Sequence, residues 1–287
     1  MEVKSPTTHK QQLAQLIARG CQVDNEGTCI DVLSRVNYYR FTAYFLPFRN
    51  KDRETYKDGT NFSQVYDIYQ FDKRLRALIL SAIEDIEIYV RTQLSYFHAH
   101  KYGALGYKDP QFFMDYDRHQ TFLAVGEREI ESNKKILFVK HHIEKYEREF
   151  PVWVISELFS LGTLSQFFSN MLTGDRKALA VDMFGVHEKV ARSWLHCCTS
   201  LRNICAHYGR LYFRELGTIP ATPKGHSLVL DRTTYSAIYM LKLMFPDKDK
   251  WDASFVLPLS ALIEKYSTSI NLVHIGFPED WEEQLTK

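Results

Sequence analysis

Several devices that commonly staple or anchor a protein are missing from this chain. Its 287 residues include only five cysteines, at positions 21, 29, 197, 198 and 205. The number is odd and no two are spaced C-x-x-C, which argues against a disulfide scaffold and against a zinc knuckle. A reduced cytoplasm is the expected compartment. No uninterrupted apolar run approaches the roughly 20 residues needed to cross a bilayer, so no membrane partner is expected. Residues 1–12 are polar and lack the apolar centre of a secretory signal. No stretch sustains the period-two alternation of a half-buried strand. Internal repeats, low-complexity linkers, a Gly-rich phosphate loop and a G-x-S-x-G elbow are also absent. An excess of one charge is absent too: 36 Lys and Arg stand against 35 Asp and Glu, for a net charge of +1. Any binding of nucleic acid must therefore come from a local patch.

What remains is a chain rich in apolar and aromatic residues, 45% hydrophobic with 19 Phe and 17 Tyr, long enough for a substantial core. Most of these rings are expected in the core or on half-buried helix faces. The longest periodic segment runs from about residue 62 to 102. Its apolar residues recur in steps of three and four, with Thr60 or Asn61 as a cap and Gly103 as a stop. One helix, or two with a kink, is expected there. Shorter helices are expected over 9–20, over 28–48 as far as Pro47, and over 120–149. Further ones are expected over 152–161 with Gly162 as an interruption, and over 163–171, 174–184, 231–245 and 255–272. Residues 49–60, 103–118 and 215–230 read as connections.

Chemistry concentrates in residues 187–213. Between Lys189 and Arg214 lie Arg192, Arg202 and Arg210, with no acidic residue among them. A solvated basic face is the plain reading of such a run. On a wheel of about 100° per residue with Arg202 at zero, Trp194, Cys198, Leu201, Ile204, Cys205, Tyr208 and Tyr212 share an apolar arc at about 200°–320°. Asn203, His207, Arg210 and Arg214 share a polar arc at about 80°–140°. Gly209 is a candidate end for the helix just after His207. An imidazole, guanidinium groups and an amide without a carboxylate suit an anionic substrate. Histidine moves protons near neutral pH, and arginine binds phosphate and stabilises charge on phosphorus. Arg-x4–6-His alone carries little weight: chance gives about two matches, and two occur, Arg202–His207 and Arg91–His98.

Elsewhere, Glu84, Glu87, Arg91 and His98 fall within about 60° of one another on the long helix, with Glu87 and Arg91 an i,i+4 ion pair. They read either as a solvated, salt-bridged face or as groups that orient Arg202 or His207 or line an RNA cleft. His141, His142 and His196 lack metal-ligand spacing, so no metal is expected. Tyr38, Tyr39 and Arg40 could stack on RNA, and packing against the long helix is the simpler role.

Arg202-Asn203-x-x-Ala206-His207, preceded by Leu201, resembles the catalytic motif of HEPN-superfamily ribonucleases. More narrowly, the chain resembles bacterial abortive-infection proteins of the AbiD/AbiF type. The resemblance runs through Asn37-Tyr38-Tyr39-Arg40-Phe41, Glu84-x-x-Glu87-x-x-x-Arg91-Thr92, Tyr102-Gly103, Pro151-Val152-Trp153, Ser200-Leu201-Arg202-Asn203 and Gly276-Phe277-Pro278-x-x-Trp281. It implies an all-α fold, a HEPN-like helical bundle with additional N- and C-terminal helices. Its divisions would be an N-terminal segment 1–60, a core 61–215 and a C-terminal extension 216–287 of one domain. It implies a homodimer in which two Arg-x4-His motifs meet, no cofactor, and metal-independent cleavage of an RNA substrate to 2′,3′-cyclic phosphate and 5′-hydroxyl ends in toxin-like phage defence. A regulatory noncoding RNA is a further partner it implies. Arg202, Asn203 and His207 would be catalytic, with Arg210, Arg214, Arg91 and Glu87 at the substrate. A non-catalytic RNA-binding module and a structural protein-interaction bundle are the alternatives.

Overall fold

The computed structural model describes residues 5–286; residues 1–4 of the polar N-terminal stretch lie outside the described residues. The fold is all-α. Among the described residues there is no strand, only three isolated β-bridges. The helices are α1 (His9–Ala18), α2 (Glu26–Arg35), α3 (Tyr38–Thr42), α4 (Phe62–Tyr102), α5 (Tyr116–Ser132), α6 (Leu137–Lys145) and α7 (Val152–Ile155). They continue with α8 (Leu161–Asn170), α9 (Thr173–Phe184), α10 (Glu188–Ala206), α11 (Thr234–Met244), α12 (Lys248–Trp251), α13 (Leu257–Tyr266) and α14 (Trp281–Leu285).

The spine is α4, a single helix of 41 residues, about 60 Å long. Asn61 caps its start by accepting from the Ser63 N–H at 2.7 Å, and Gly103 ends it at φ 81°. Its inward stripe includes Val65, Ile68, Phe71, Leu75, Ile79, Ile83, Ile86, Val90 and Leu94, all buried. Against the spine pack α7, α8, α9, α10, α11 and α13. α10 is the second organising helix, packed on α4, α8, α9 and α11. Its buried face carries Trp194, Leu195, Cys198, Leu201 and Cys205, the apolar arc of the wheel. No helix among the described residues is long and apolar enough to cross a membrane.

Four boundaries differ from the sequence expectation, each for a local reason. The helix expected over 28–48 is three pieces: α2, α3 and a 3-10 turn at Ala43–Phe48 that contains Pro47. Asn37 makes the break, because its side chain accepts from the Tyr39 N–H at 2.9 Å and restarts the chain as a cap. The helix expected over 120–149 divides between α5 and α6 at Asn133. Gly162 does not interrupt a helix; it lies inside α8, which Ser160 caps at the Thr163 N–H. The helix expected over 255–272 starts earlier and ends earlier: α12 passes through a π-helical turn at Asp252–Val256 into α13, which stops at Tyr266, and a 3-10 turn follows at Leu272–Ile275.

Candidate functional site: the end of α10 against α4

α10 stops at Ala206, and His207 is its C-cap. The wheel drawn through residue 214 therefore holds only to this point. The stop is a complete Schellman closure: the Tyr208 N–H reaches the Cys205 carbonyl at 3.1 Å and the Gly209 N–H reaches the Ile204 carbonyl at 2.7 Å. Tyr208 takes the left-handed conformation, φ 59°, where glycine is the usual residue. Gly209 is needed for close approach instead, since a Cβ there would sit 3.0 Å from Ile204 Cγ2 and from the Ile204 carbonyl oxygen.

Four side chains from other elements clamp this turn. Arg40 of α3 donates to the Tyr208 carbonyl. Arg76 of α4 donates to the Gly209 carbonyl at 3.2 Å. Asp72 of α4 accepts from the Leu211 and Tyr212 N–H groups at 3.0 and 2.8 Å. Tyr44 donates to the other Asp72 oxygen at 2.6 Å, and Arg76 also pairs with that oxygen. Asp72 is fully buried and Arg76 nearly so. Burial pushes the Asp72 carboxyl up, while Arg76, Tyr44 and the two backbone donors pull the other way. Sequence reading did not single out Tyr44, Asp72 or Arg76. The available signal was an i,i+4 ion pair set beside the apolar stripe of α4 rather than opposite it.

The clamp leaves His207 and Asn203 exposed at the end of α10 and Arg202 half-buried beside them. None of these three side chains has a hydrogen-bond partner among the described residues. Arg202 opens into a groove of about 380 Å³ whose other wall is α4, with Leu80, Ile83, Glu84, Glu87, Ile88 and Arg91. Arg91 is held rigidly. One of its terminal nitrogens donates to Glu87 Oε1 at 3.0 Å and to the Phe159 carbonyl at 2.9 Å. Thus Arg202, Glu87 and Arg91 share one groove, with His207 one turn further along α10.

Arg210 and Arg214 lie elsewhere. With the helix ended, Arg210 turns inward and donates to the Tyr212 and Phe213 carbonyls at 2.6 and 2.8 Å, and burial pulls its pKa below the usual arginine range. Arg214 lines a separate cavity with Glu215 and Asp231. The second Arg-His match separates as well: His98 is fully buried among the rings of Tyr102, Phe113 and Phe167. The segment after Asn37 packs Phe41 against Phe62, Tyr66 and Tyr69 of α4, half-buries Tyr38 and leaves Tyr39 exposed.

All five cysteines are buried free thiols. Burial pushes Cys21 up to about 12, Cys29 to about 11 and Cys205 to about 12. These thiols are the reverse of the activated thiolate a nucleophile requires. No group of three or more His, Cys, Asp or Glu side chains placed to hold a metal ion occurs among the described residues.

The family described as Abi-like protein matches residues 31–213, more than half of the chain. The chain belongs to that family. The match begins within α2 and runs through the spine, the clamp and the end of α10, so every residue of the Arg202 groove falls inside this Abi-like region. Comparison with curated proteins and with solved structures gives no match.

Proposed function

We propose that this Abi-like protein is a metal-independent endoribonuclease of the HEPN type, acting in abortive phage defence, with residues 61–215 as its catalytic core. The observation that carries the reading is the end of α10. A clamped turn presents His207 and Asn203 to solvent, beside an Arg202 that faces an ordered Glu87–Arg91 pair, and the three α10 side chains have no internal partner. Side chains free of internal bonds on a rigid support suit a site whose partner is the substrate.

The chemistry follows from the groups. An imidazole takes the proton from a ribose 2′-hydroxyl as its oxygen attacks the adjacent phosphorus. A bond forms between O2′ and phosphorus, and the bond from phosphorus to O5′ breaks. A protonated imidazole gives its proton to the departing O5′. The products are a 2′,3′-cyclic phosphate and a 5′-hydroxyl. Arg202 stabilises the charge that grows on the phosphoryl oxygens, and Asn203 orients the phosphate or the imidazole. One imidazole serves as base and a second as acid, so a homodimer that joins two α10 ends completes the site. Glu87 and Arg91 fix the far wall of the groove against which RNA lies. Arg214 sits outside the groove and contributes to RNA binding beyond it, whereas Arg210, turned inward onto the Tyr212 and Phe213 carbonyls, supports the turn instead of the substrate. A structured noncoding RNA that fills the same groove would restrain the enzyme.

The test is cleavage of total RNA by wild type and by His207→Ala in the presence of EDTA, with chemical mapping of the new ends. Wild type is expected to leave cyclic phosphates, and His207→Ala to be slower by about 10²–10⁴-fold, the usual range for losing a general acid or base. RNA bound by both but cut by neither would replace this reading with a binding module. Equal cutting by both would place the site elsewhere.

A further inference from the structure

A second cavity lies at the other end of α10 and plays no part in the groove just described. It holds about 560 Å³ between α5, α8 and α10, within the usual range for small-ligand sites of about 300–1,000 Å³. Its floor is aromatic: Phe113, Phe122 and Phe167 pack on one another, with centroids 5.1–6.4 Å apart. Its rim is cationic, with Lys189, Arg192 and His196 from α10 and Arg118 from α5. No acidic residue lines it. Of these cations, Arg118 has a carboxylate partner, Asp115 at 3.9 Å. Lys189, Arg192 and His196 are exposed, and their side chains have no hydrogen-bond or ion-pair partner among the described residues. Ser165 also lines the cavity. It is 8% exposed, and its hydroxyl has no partner among the described residues. Its oxygen is accessible from the cavity, so a ligand atom entering there can bond it in place of water.

We infer that this cavity is a nucleotide-binding site. An apolar aromatic floor accepts a base, the Ser165 hydroxyl facing the cavity reads one polar atom on its edge, and a rim of cations takes the phosphate. Position strengthens the assignment. On the wheel of α10, Lys189, Arg192 and His196 fall at about 80°–140°, the arc that also holds Asn203 and His207. Arg192 stands about 16 Å from Asn203 along the axis, a span that a strand of a few nucleotides covers. The same chemistry suits one nucleotide of an RNA strand or a free nucleotide. The inference goes beyond cleavage and does not depend on it.

The test uses the full chain and ligands that the proposed nuclease cannot consume: a 2′-O-methyl pentaribonucleotide, and separately AMP and GMP. Binding is read by calorimetry and by anisotropy of the labelled oligonucleotide. Two variants probe the two halves of the site. The double variant Lys189→Ala with Arg192→Ala removes exposed cations and leaves the core untouched. Ser165→Leu fills the floor, with its melting temperature checked against wild type. Each is expected to weaken whichever ligand binds by about tenfold or more, and the double variant to lower the single-stranded oligonucleotide's salt slope by about 1.4. A mononucleotide that binds and displaces the oligonucleotide identifies a free nucleotide as the occupant. Binding of the oligonucleotide alone identifies a strand. Wild type that binds none of them, or binds equally well after both substitutions, overturns the proposal. So does weakening by the double variant alone, which would mark a surface phosphate contact with no pocket.

Discussion

His98 has neither ring nitrogen hydrogen-bonded, and aromatic rings enclose it. Burial is the main cause that pushes its pKa down to about 4, with His119 adding to the fall and Asp175 opposing it. The imidazole is therefore neutral in the fold and takes a proton readily only after unfolding. Its contribution is fully present above the unfolded value near 6.5 and is lost as pH falls towards 4. The difference amounts to about 3 kcal/mol for that shift. His98→Phe should remove this part of the acid sensitivity. Denaturant melts of both proteins at pH 7 and pH 4 would measure it, and parallel losses would show that His98 does not titrate this way. At this scale sequence reading had mixed success. Periodicity placed Glu87 and Arg91 on one face of the long helix, and family resemblance paired them with Arg202. Nothing in the spacing separated His207 from His98, because both follow an arginine at an allowed distance. Burial separates them: one caps a helix in solvent and the other fills a core.

Elements were legible where periodicity and an end signal agreed. The spine α4 has both, with Asn61 and Gly103 where a cap and a stop were expected. They were less legible where a polar side chain competes with the helix ladder, as at Asn37, or where a glycine tempts a break that a neighbouring serine makes, as at Ser160. The end of α10 was least legible. A tyrosine occupies the left-handed position there, and glycine sits one residue later for space. The turn holds because α3 and α4 clamp it, and contacts across the fold are invisible to a local pattern. That clamp is open to test through Asp72→Ala. The substitution leaves Arg76 buried without its carboxylate and strips the acceptor from two backbone N–H groups. Losing one partner of a buried pair costs about 3–5 kcal/mol. Urea melts should show a loss of that size, and Asp72→Ala should also cleave RNA poorly under conditions where it remains folded. A loss below about 1 kcal/mol, the median worth of an exposed pair, would mean the pair does not organise the turn.

At the scale of the whole molecule, one polar arc of α10 serves two regions. Lys189, Arg192 and His196 rim a cavity at its first half, and Asn203 and His207 stand free at its end. α8 and α5 wall the first region and α4 walls the second, so a strand laid along α10 would meet the proposed binding site before the proposed catalytic one. With a net charge of only +1, attraction for an RNA strand has to come from a local face such as this one. The proposed chemistry adds a requirement beyond one chain, since His207 is the exposed imidazole at the α10 end, and His196 stands in the first region instead. A dimer in which one His207 acts as base and its partner as acid has a consequence that a self-sufficient monomer lacks. Wild type mixed and re-equilibrated with an equal amount of His207→Ala forms mixed dimers, each lacking one of the two imidazoles. Random pairing leaves about a quarter of the dimers with both. Total cleavage should therefore fall to about half that of the same wild-type protein alone, and specific activity should also decline on dilution. Cleavage that stays proportional to the wild-type chains present, at every dilution, would mean that a single α10 end suffices. The second proton-transfer group would then have to be sought within one chain, and the Glu87–Arg91 wall is the nearest place to look.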